Sequence, residues 1–163
     1  CATDETGSFY LGKTHRALKN RVELLVEPME ISDVKTVQIS ANARELKSPL
    51  PLTFFTQQKP ATFKLTDLNL TKADCLLDFE MLDFPLEMRP WQPGDTFMPL
   101  GMKGFKKISD YLIDEKVARN EKEKTFVLTS NCSIVWLIGH RIDERFKVGE
   151  RTQIMYLGRL HNK

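Results

Sequence analysis

The sequence predicts a strand-rich α+β fold in one domain, with one well-defined helix. Its 163 residues suit one hydrophobic core and fall short of a comfortable pair of domains. Apolar residues make up 41% and charged residues 28% of the chain, as in ordinary globular proteins, which excludes disordered, collagen-like and coiled-coil classes. Most patterned segments alternate with the period of two that is typical of strands, and one has helical spacing.

The first half of the chain contains four strand candidates and no clear helix. Val22, Leu24 and Val26 alternate with polar neighbours, so one face of that segment can be buried while the other stays in water. A short segment around Val37 and Ile39 has the same pattern. The four predicted strands are residues 21–27, 35–40, 52–57 and 73–79.

The second half is easier to interpret because turn residues separate its elements. Pro93 and Gly94 occupy the central positions of a type II turn, where glycine supplies the positive φ. The apolar residues of segment 106–116 recur at helical spacing, which predicts an amphipathic helix. The predicted strands are residues 84–89, 125–129, 133–138 and a continuation past Gly139, and the second and third of these form a hairpin across residues 130–132.

Membrane and disulfide classes are disfavoured by the same sequence. The longest apolar run, from Ile134 to Ile138, is far shorter than the roughly 20 residues of a membrane-spanning helix. Three widely spaced cysteines without a CxxC pair predict neither a disulfide framework nor a zinc site. We therefore expect a soluble protein of the reducing cytoplasm. Residues 1–7 are expected to be disordered or extraneous, and residues 8–163 to form one domain.

Charge is distributed unevenly along the chain. The net charge is +2 overall, but residues 1–85 carry 10 basic and 12 acidic side chains, whereas residues 86–163 carry 14 and 10. The excess in the second half is compatible with an anionic partner, but charge alone favours a solvated face. A further basic group in the first half could bind a ligand or lie in a solvated loop, and the solvated loop is preferred; its members are Lys13, His15, Arg16, Lys19 and Arg21.

Lys106 and Lys107 form the first candidate binding group. The predicted helix places both in its first turn, where the helix dipole disfavours cations. Lysines beside exposed backbone N–H groups after Gly104 would suit a phosphate. The alternative is that both side chains reach into solvent, with Asp110 interacting with the dipole.

Arg141, Arg145 and Lys147 form the second candidate group. If the strand continues past Gly139, its period of two places these cations and Asp143 on one face, with Ile142 and Phe146 among the residues on the other. Asp143 could then hold both arginines in position for phosphate contacts. The alternative is an exposed, charge-paired edge that discourages aggregation.

Familiar catalytic motifs are missing from the sequence. It contains no HExxH, GxSxG or GxGxxG motif, and its three histidines are scattered. Cys132 is better explained as a turn residue than as a nucleophile, and the two tryptophans, Trp91 and Trp136, as core residues. No catalytic, cofactor-binding or metal-binding residue is assigned, and a binding module is favoured over an enzyme.

Four motifs in the second half of the chain form a specific combination: W-x-x-G-D at residues 91–95, P-L-G-M-K-G at 99–104, K-K-x-S-D-x-L-I-D at 106–114 and G-x-R-I-D-x-R-F-K at 139–147. Together they resemble the C-terminal domain of bacterial tRNA(Ile)-lysidine synthetases, most closely the version from the Bacteroidetes. The resemblance is strongest over residues 89–148 and extends weakly back to residues 9–21. It implies a β-rich sandwich of mostly antiparallel strands with flanking helices, like a domain of phenylalanyl-tRNA synthetase.

The resemblance also implies a function. The parent enzyme uses ATP, with Mg²⁺, to attach lysine to the wobble cytidine of the isoleucine tRNA that has a CAU anticodon. That chemistry belongs to an N-terminal ATP-pyrophosphatase domain with an SGGxDS loop, and this sequence has no such loop. The chain alone is therefore expected to bind tRNA near its acceptor stem and to be inactive.

The resemblance strengthens the phosphate-contact interpretation of both cationic groups and adds Lys103, Arg89 and Arg119 as further tRNA-binding candidates. Two alternatives stay open. The domain could form a homodimer contact or a brace to the N-terminal domain without touching RNA, or it could be a small hydrolase whose site has no recognisable motif.

Overall fold

The computed structural model describes residues 36–162 in full and, before them, the backbone of three strands, β1 (Phe9–Leu11), β2 (His15–Lys19) and β3 (Leu24–Pro28). The chain divides into two compact units, Cys1–Val34 and Lys35–Lys163. In the first unit the three strands form an antiparallel sheet in the order β1-β2-β3. The backbone of His15–Lys19 is therefore a strand, and the loop predicted for this basic group is wrong there.

Two predictions for the first residues are not tested. The terminal segment 1–7 lies outside the described residues, as do residues 21–23 at the start of one predicted strand. The extent of a single domain from residue 8 stays a prediction beside the observed division into two units.

The second unit is built from short antiparallel strands and two short helices. The strands are β4 (Val37–Ile39), β5 (Glu45–Leu46), β6 (Leu52–Gln58), β7 (Asp74–Asp78), β8 (Leu86–Pro90), β9 (Thr96–Phe97), β10 (Lys106–Lys107), β11 (Phe126–Ser130), β12 (Ser133–Leu137), β13 (Arg141–Ile142) and β14 (Ile154–Leu160). The α-helices are α1 (Ile108–Asp114) and α2 (Arg119–Glu123), and 3₁₀ turns cover Leu65–Asp67, Phe79–Met81 and Glu144–Phe146. No helix in the described part of the chain is long and apolar enough to span a membrane.

Two sheets pack face to face in this unit. One has five strands in the order β13-β12-β11-β8-β4, and the other has four in the order β5-β6-β14-β7. The sheets meet at Gly158 of β14, where a Cβ atom would lie 2.7 Å from Sγ of Cys75 and 3.4 Å from the rings of Phe54 and Trp136. Because Trp136 belongs to the five-stranded sheet, this contact joins the sheets. The predicted α+β sandwich is confirmed.

The predicted turns are present. Gly94 has φ of 94°, and the N–H of Asp95 donates to the carbonyl of Gln92 at 3.0 Å, as a type II turn requires. Asn131 and Cys132 have φ of 45° and 66°, so the hairpin between β11 and β12 has a two-residue turn with left-handed backbone at both positions. The predicted three-residue turn is one residue too long because Ser130 belongs to β11.

The predicted helix begins two residues too early. Lys106 and Lys107 form β10 and pair with Phe97 and Thr96 of β9, so the chain is extended until α1 begins at Ile108. Helix α1 buries Ile108, Tyr111 and Leu112 against Phe97, Val127, Ile134 and Leu137. The prediction that both lysines lie in the first helical turn is therefore wrong, and so is the argument for a phosphate site that was based on it.

The strand predicted after Gly139 is also wrong beyond its first residues. Strand β13 has two residues, and a 3₁₀ turn covers Glu144–Phe146. Ile142 and Phe146 are buried as predicted, but Asp143 is fully buried and does not share an exposed face with the cations. The cause is hydrogen bonding, because the Asp143 carboxylate accepts the N–H of Arg145, two residues later, and the N–H of Met98 on the neighbouring segment.

Candidate nucleic-acid interface

Two chain segments lie side by side and carry most of the predicted cations. Leu100 donates its N–H to the carbonyl of Ile142 at 3.0 Å, and Glu144 donates to the carbonyl of Met98 at 2.7 Å. Arg141 adds a contact from Nη1 to the Leu100 carbonyl at 3.3 Å. We call the surface formed by residues 98–107 and 141–147 the cationic face.

Asp143 and Arg145 form the central ion pair of the cationic face. Nε and Nη2 of Arg145 donate to the two oxygens of the Asp143 carboxylate, each at 3.0 Å. The same carboxylate accepts backbone N–H groups from Met98 at 2.8 Å and Arg145 at 2.9 Å. Hydrogen bonding to Asp143 raises the pKa of the Arg145 guanidinium. Four hydrogen bonds thus satisfy a buried carboxylate, and the guanidinium has a fixed orientation.

Arg145 also contacts two aromatic rings. Its Cζ lies 4.8 Å from the centroid of Phe105 and 5.4 Å from that of Phe146. Phe146 is buried, whereas Phe105 is 60% exposed. Sequence reasoning missed Phe105, although an aromatic residue between lysines in a glycine-containing loop is a signal that could have identified it.

The other cations of the 141–147 segment differ in their partners. Lys147 pairs with the carboxylate of Glu144, which also accepts the N–H of Gly101 at 2.7 Å. These two contacts, the backbone bond first, lower the pKa of Glu144. Arg141 is exposed, and its predicted bond to Asp143 is not among the contacts in the described part of the chain. Asp143 therefore orients Arg145 alone.

The three lysines of residues 98–107 also differ in exposure and in their ion-pair partners. Lys106 is half-buried, pairs with Asp114 and lies 6.0 Å from the centroid of the Tyr111 ring. Lys103 and Lys107 are exposed, and neither forms an ion pair with another residue of 36–162. Among the lysines of residues 98–107, these two can bind an anion without breaking an ion pair.

Arg89 and Arg119 lie outside the two segments. Both terminal nitrogens of Arg89 donate to the carboxylate of Asp95, at 2.8 and 3.0 Å, and Nη1 also reaches the Pro90 carbonyl. Burial raises the pKa of Asp95, but hydrogen bonds from Arg89 and the Gln92 N–H outweigh it and leave the pKa lowered. Arg89 thus stabilises the Pro93–Gly94 turn. Arg119 is the exposed first residue of α2.

A groove of about 650 Å³ adjoins the cationic face. Arg141 and Lys147 line it together with His140 and Lys72, and Lys72 pairs with Glu115 at 3.2 Å. Burial, and then the charge of Lys72, lowers the pKa of His140, so the imidazole is neutral near pH 7. The described residues contain no cluster of three or more side chains suited to a metal ion.

Residues 86–158 match the family model described as the TilS substrate C-terminal domain. That span includes all eight candidate tRNA-binding cations and the whole cationic face. Residues 86–158 are thus identified with the TilS C-terminal domain. The predicted resemblance is therefore confirmed.

Curated relatives of this TilS C-terminal domain support the same family. The tRNA(Ile)-lysidine synthase of Parabacteroides distasonis is 39% identical over 151 residues, which are 93% of this chain and 34% of the relative. That of Bacteroides thetaiotaomicron is 34% identical over 91% of this chain and 32% of the relative. The chain thus spans about one third of the length of these relatives, and the predicted likeness to Bacteroidetes sequences is confirmed.

A solved structure supports the fold of the TilS C-terminal domain. The structure is titled "Crystal structure of TILS C-terminal domain", and it matches with a TM-score of 0.60 at 16% sequence identity. The match covers 79% of this chain and 100% of the solved chain. At this identity the likeness establishes the fold and carries no residue-level assignment.

Proposed function

We propose that this chain is the part of a tRNA(Ile)-lysidine synthase that binds the tRNA. The proposal is supported by the cationic face. Two separate segments within the matched residues 86–158 form this face. Residues 98–107 contain three lysines and no acidic residue, and residues 141–147 contain three cations and two acids. Such an excess on one surface suits the phosphate backbone of a nucleic acid.

The cations divide into two kinds with different roles. Lys103 and Lys107 are mobile, exposed charges that meet phosphates directly. Arg145 has its guanidinium held by Asp143, so little side-chain freedom is lost when it contacts RNA. Because side chains cannot read the deep major groove of A-form RNA, this surface senses backbone position and shape more than base identity in paired regions.

The proposal assigns the chemistry to another domain of the enzyme. In the parent, an N-terminal domain with an SGGxDS loop would hold ATP and Mg²⁺ and attach lysine to the wobble cytidine of the CAU-bearing tRNA(Ile). This chain would bind the same tRNA near its acceptor stem, in the cytoplasm, and would produce neither AMP nor lysidine by itself.

A filter-binding titration of the chain against this tRNA at two or more salt concentrations tests the proposal. The test variant is the Lys103→Ala/Lys107→Ala pair, which removes exposed charge without breaking an ion pair among residues 36–162. We expect weaker binding and a salt dependence flatter by about 0.7–0.9 log units for each phosphate that the variant no longer neutralises. The matched control is Lys47→Ala.

Lys47 is a suitable control because of its position in the fold. It is exposed and follows β5, which is one edge of the four-stranded sheet. The cationic face adjoins the opposite edge, β7, because Leu77 of β7 forms a β-bridge with Lys147. The control should bind tRNA as the parent does. Salt-independent or absent binding, together with concentration-dependent dimerisation, would instead support the homodimer or brace alternative.

A further inference from the structure

Phe105 is exposed at a position where folding gives no reason for an aromatic residue. Its ring is 60% exposed, so leaving it on the surface forgoes most of the free energy that burial would contribute. It is flanked in sequence by Gly104 and Lys106, and it lies on the cationic face. An exposed ring among cations is a feature of surfaces that bind single-stranded nucleic acid.

The ring has a rigid support. The guanidinium of Arg145 covers it at 4.8 Å, and the same guanidinium lies 5.4 Å from the buried ring of Phe146. Asp143, which is fully buried, accepts two hydrogen bonds from that guanidinium. The exposed ring is thus connected through a fixed cation to the core, and little order has to be created when a flat ligand stacks on it.

We propose that Phe105, supported by Arg145, is a stacking platform for an unpaired base of RNA. The inference rests on the proposed tRNA recognition and specifies which part of the RNA meets this residue. Charge favours a nucleotide as the occupant, since Lys103 and Lys107 are available for the phosphates on either side of the base. A base paired inside a duplex is stacked on both sides, so the platform selects unpaired nucleotides.

Binding measurements with two model RNAs test the platform. One is a blunt RNA duplex without a loop, and the other is the same duplex with a short single-stranded extension at each 3′ end. We expect the extension to tighten binding by the parent chain about fivefold or more, the effect of one stacked base. Phe105→Ala should lose that gain and keep its affinity for the blunt duplex, whereas Phe105→Trp should retain the gain.

Phe55→Ala is the matched control. Phe55 is a phenylalanine of similar exposure, 50%, on strand β6 of the four-stranded sheet, and its replacement should leave both affinities unchanged. Photocrosslinking gives a direct readout, because 5-iodouridine in the extension should attach to Phe105, as identified by mass spectrometry.

The outcomes separate this inference from the function on which it rests. If the parent binds neither the model RNAs nor tRNA, both the tRNA-recognition proposal and the platform are wrong. If the parent binds tRNA with normal salt dependence but binds the two duplexes equally, the platform alone is wrong. The same conclusion follows if Phe105→Ala keeps the gain from the extension.

Discussion

Replacing Arg145 with alanine should destabilise the second unit, because it removes half of the hydrogen bonds to a buried carboxylate. Asp143 is 0% exposed and would keep only the two backbone donors, from Met98 and from residue 145 itself. A buried charge that loses its partner costs several kcal/mol. Since the Arg145 side chain is 36% exposed, water can replace part of the interaction, and we expect a loss of about 2–3 kcal/mol.

Urea unfolding followed by tryptophan fluorescence is a suitable assay. Trp91 and Trp136 both lie in the second unit, so the signal reports that unit. With a denaturant slope of roughly 1–3 kcal/mol per M, this loss would lower the midpoint by about 1 M at an unchanged slope. Lys147→Ala is the matched control, because its pair with Glu144 is at the surface and should contribute less than about 1 kcal/mol.

The comparison can refute the reasoning. If Arg145→Ala and Lys147→Ala unfolded at the same urea concentration, Asp143 would not depend on Arg145, and the fixed orientation of the guanidinium would be wrong. Exchanging Asp143 for asparagine in the Arg145→Ala background should restore part of the stability, since no unpaired buried charge would remain.

Two further predictions concern packing and acid sensitivity. Gly158→Ala should cost about 1–3 kcal/mol in thermal unfolding, because its Cβ would lie 2.7 Å from Sγ of Cys75 on the paired strand β7 and 3.4 Å from the Trp136 ring of the facing sheet; an unchanged melting temperature would contradict the close packing around Gly158. The folded state lowers the pKa of Asp95 below its ordinary 3.8, so its contribution to stability is complete above that pH and is lost as pH falls through the folded pKa. The stability advantage of the parent over Asp95→Asn should therefore be full at pH 7 and shrink below about pH 4, whereas a constant difference would contradict the lowered pKa.

Local sequence signals predicted the parts of the fold that local interactions determine. The type II turn depends on Pro93 and on the positive φ of Gly94, and both requirements are visible in the sequence. The β11–β12 hairpin has apolar strands on either side of short polar residues, and the strand around Ile39 alternates as expected. In each case neighbouring residues contain the information that selects the structure.

Elements that depend on distant partners could not be predicted in the same way. Strand β14 was missed, although it lies between β6 and β7 in the four-stranded sheet, because Gly158 and Arg159 interrupt its apolar run. Lys106 and Lys107 are extended because they pair with Phe97 and Thr96, which helical periodicity does not reveal.

The burial of Asp143 has the same origin. Alternation treats every polar side chain as exposed, but this carboxylate accepts an N–H from Met98, 45 residues earlier in the chain. Sequence reasoning therefore assigned the wrong geometry to the segment that carries Arg141, Arg145 and Lys147, and their contact with RNA stays a prediction. Phe105 was missed because periodicity treats an aromatic residue as a core candidate and offers no test of its exposure.

Ion pairing decides which variants can separate binding from folding. Arg145, Lys106 and Lys147 each hold a carboxylate of the protein, so their removal changes RNA contact and the local electrostatics of the fold together. Glutamate in place of Lys106 would face Asp114 and repel it, and a loss of tRNA affinity in that variant would say little about phosphate contact. Lys103, Lys107 and Phe105 form no such pair among residues 36–162, and substitutions there change the surface while leaving the core contacts in place. A binding defect confined to these three positions would therefore locate the RNA on the cationic face.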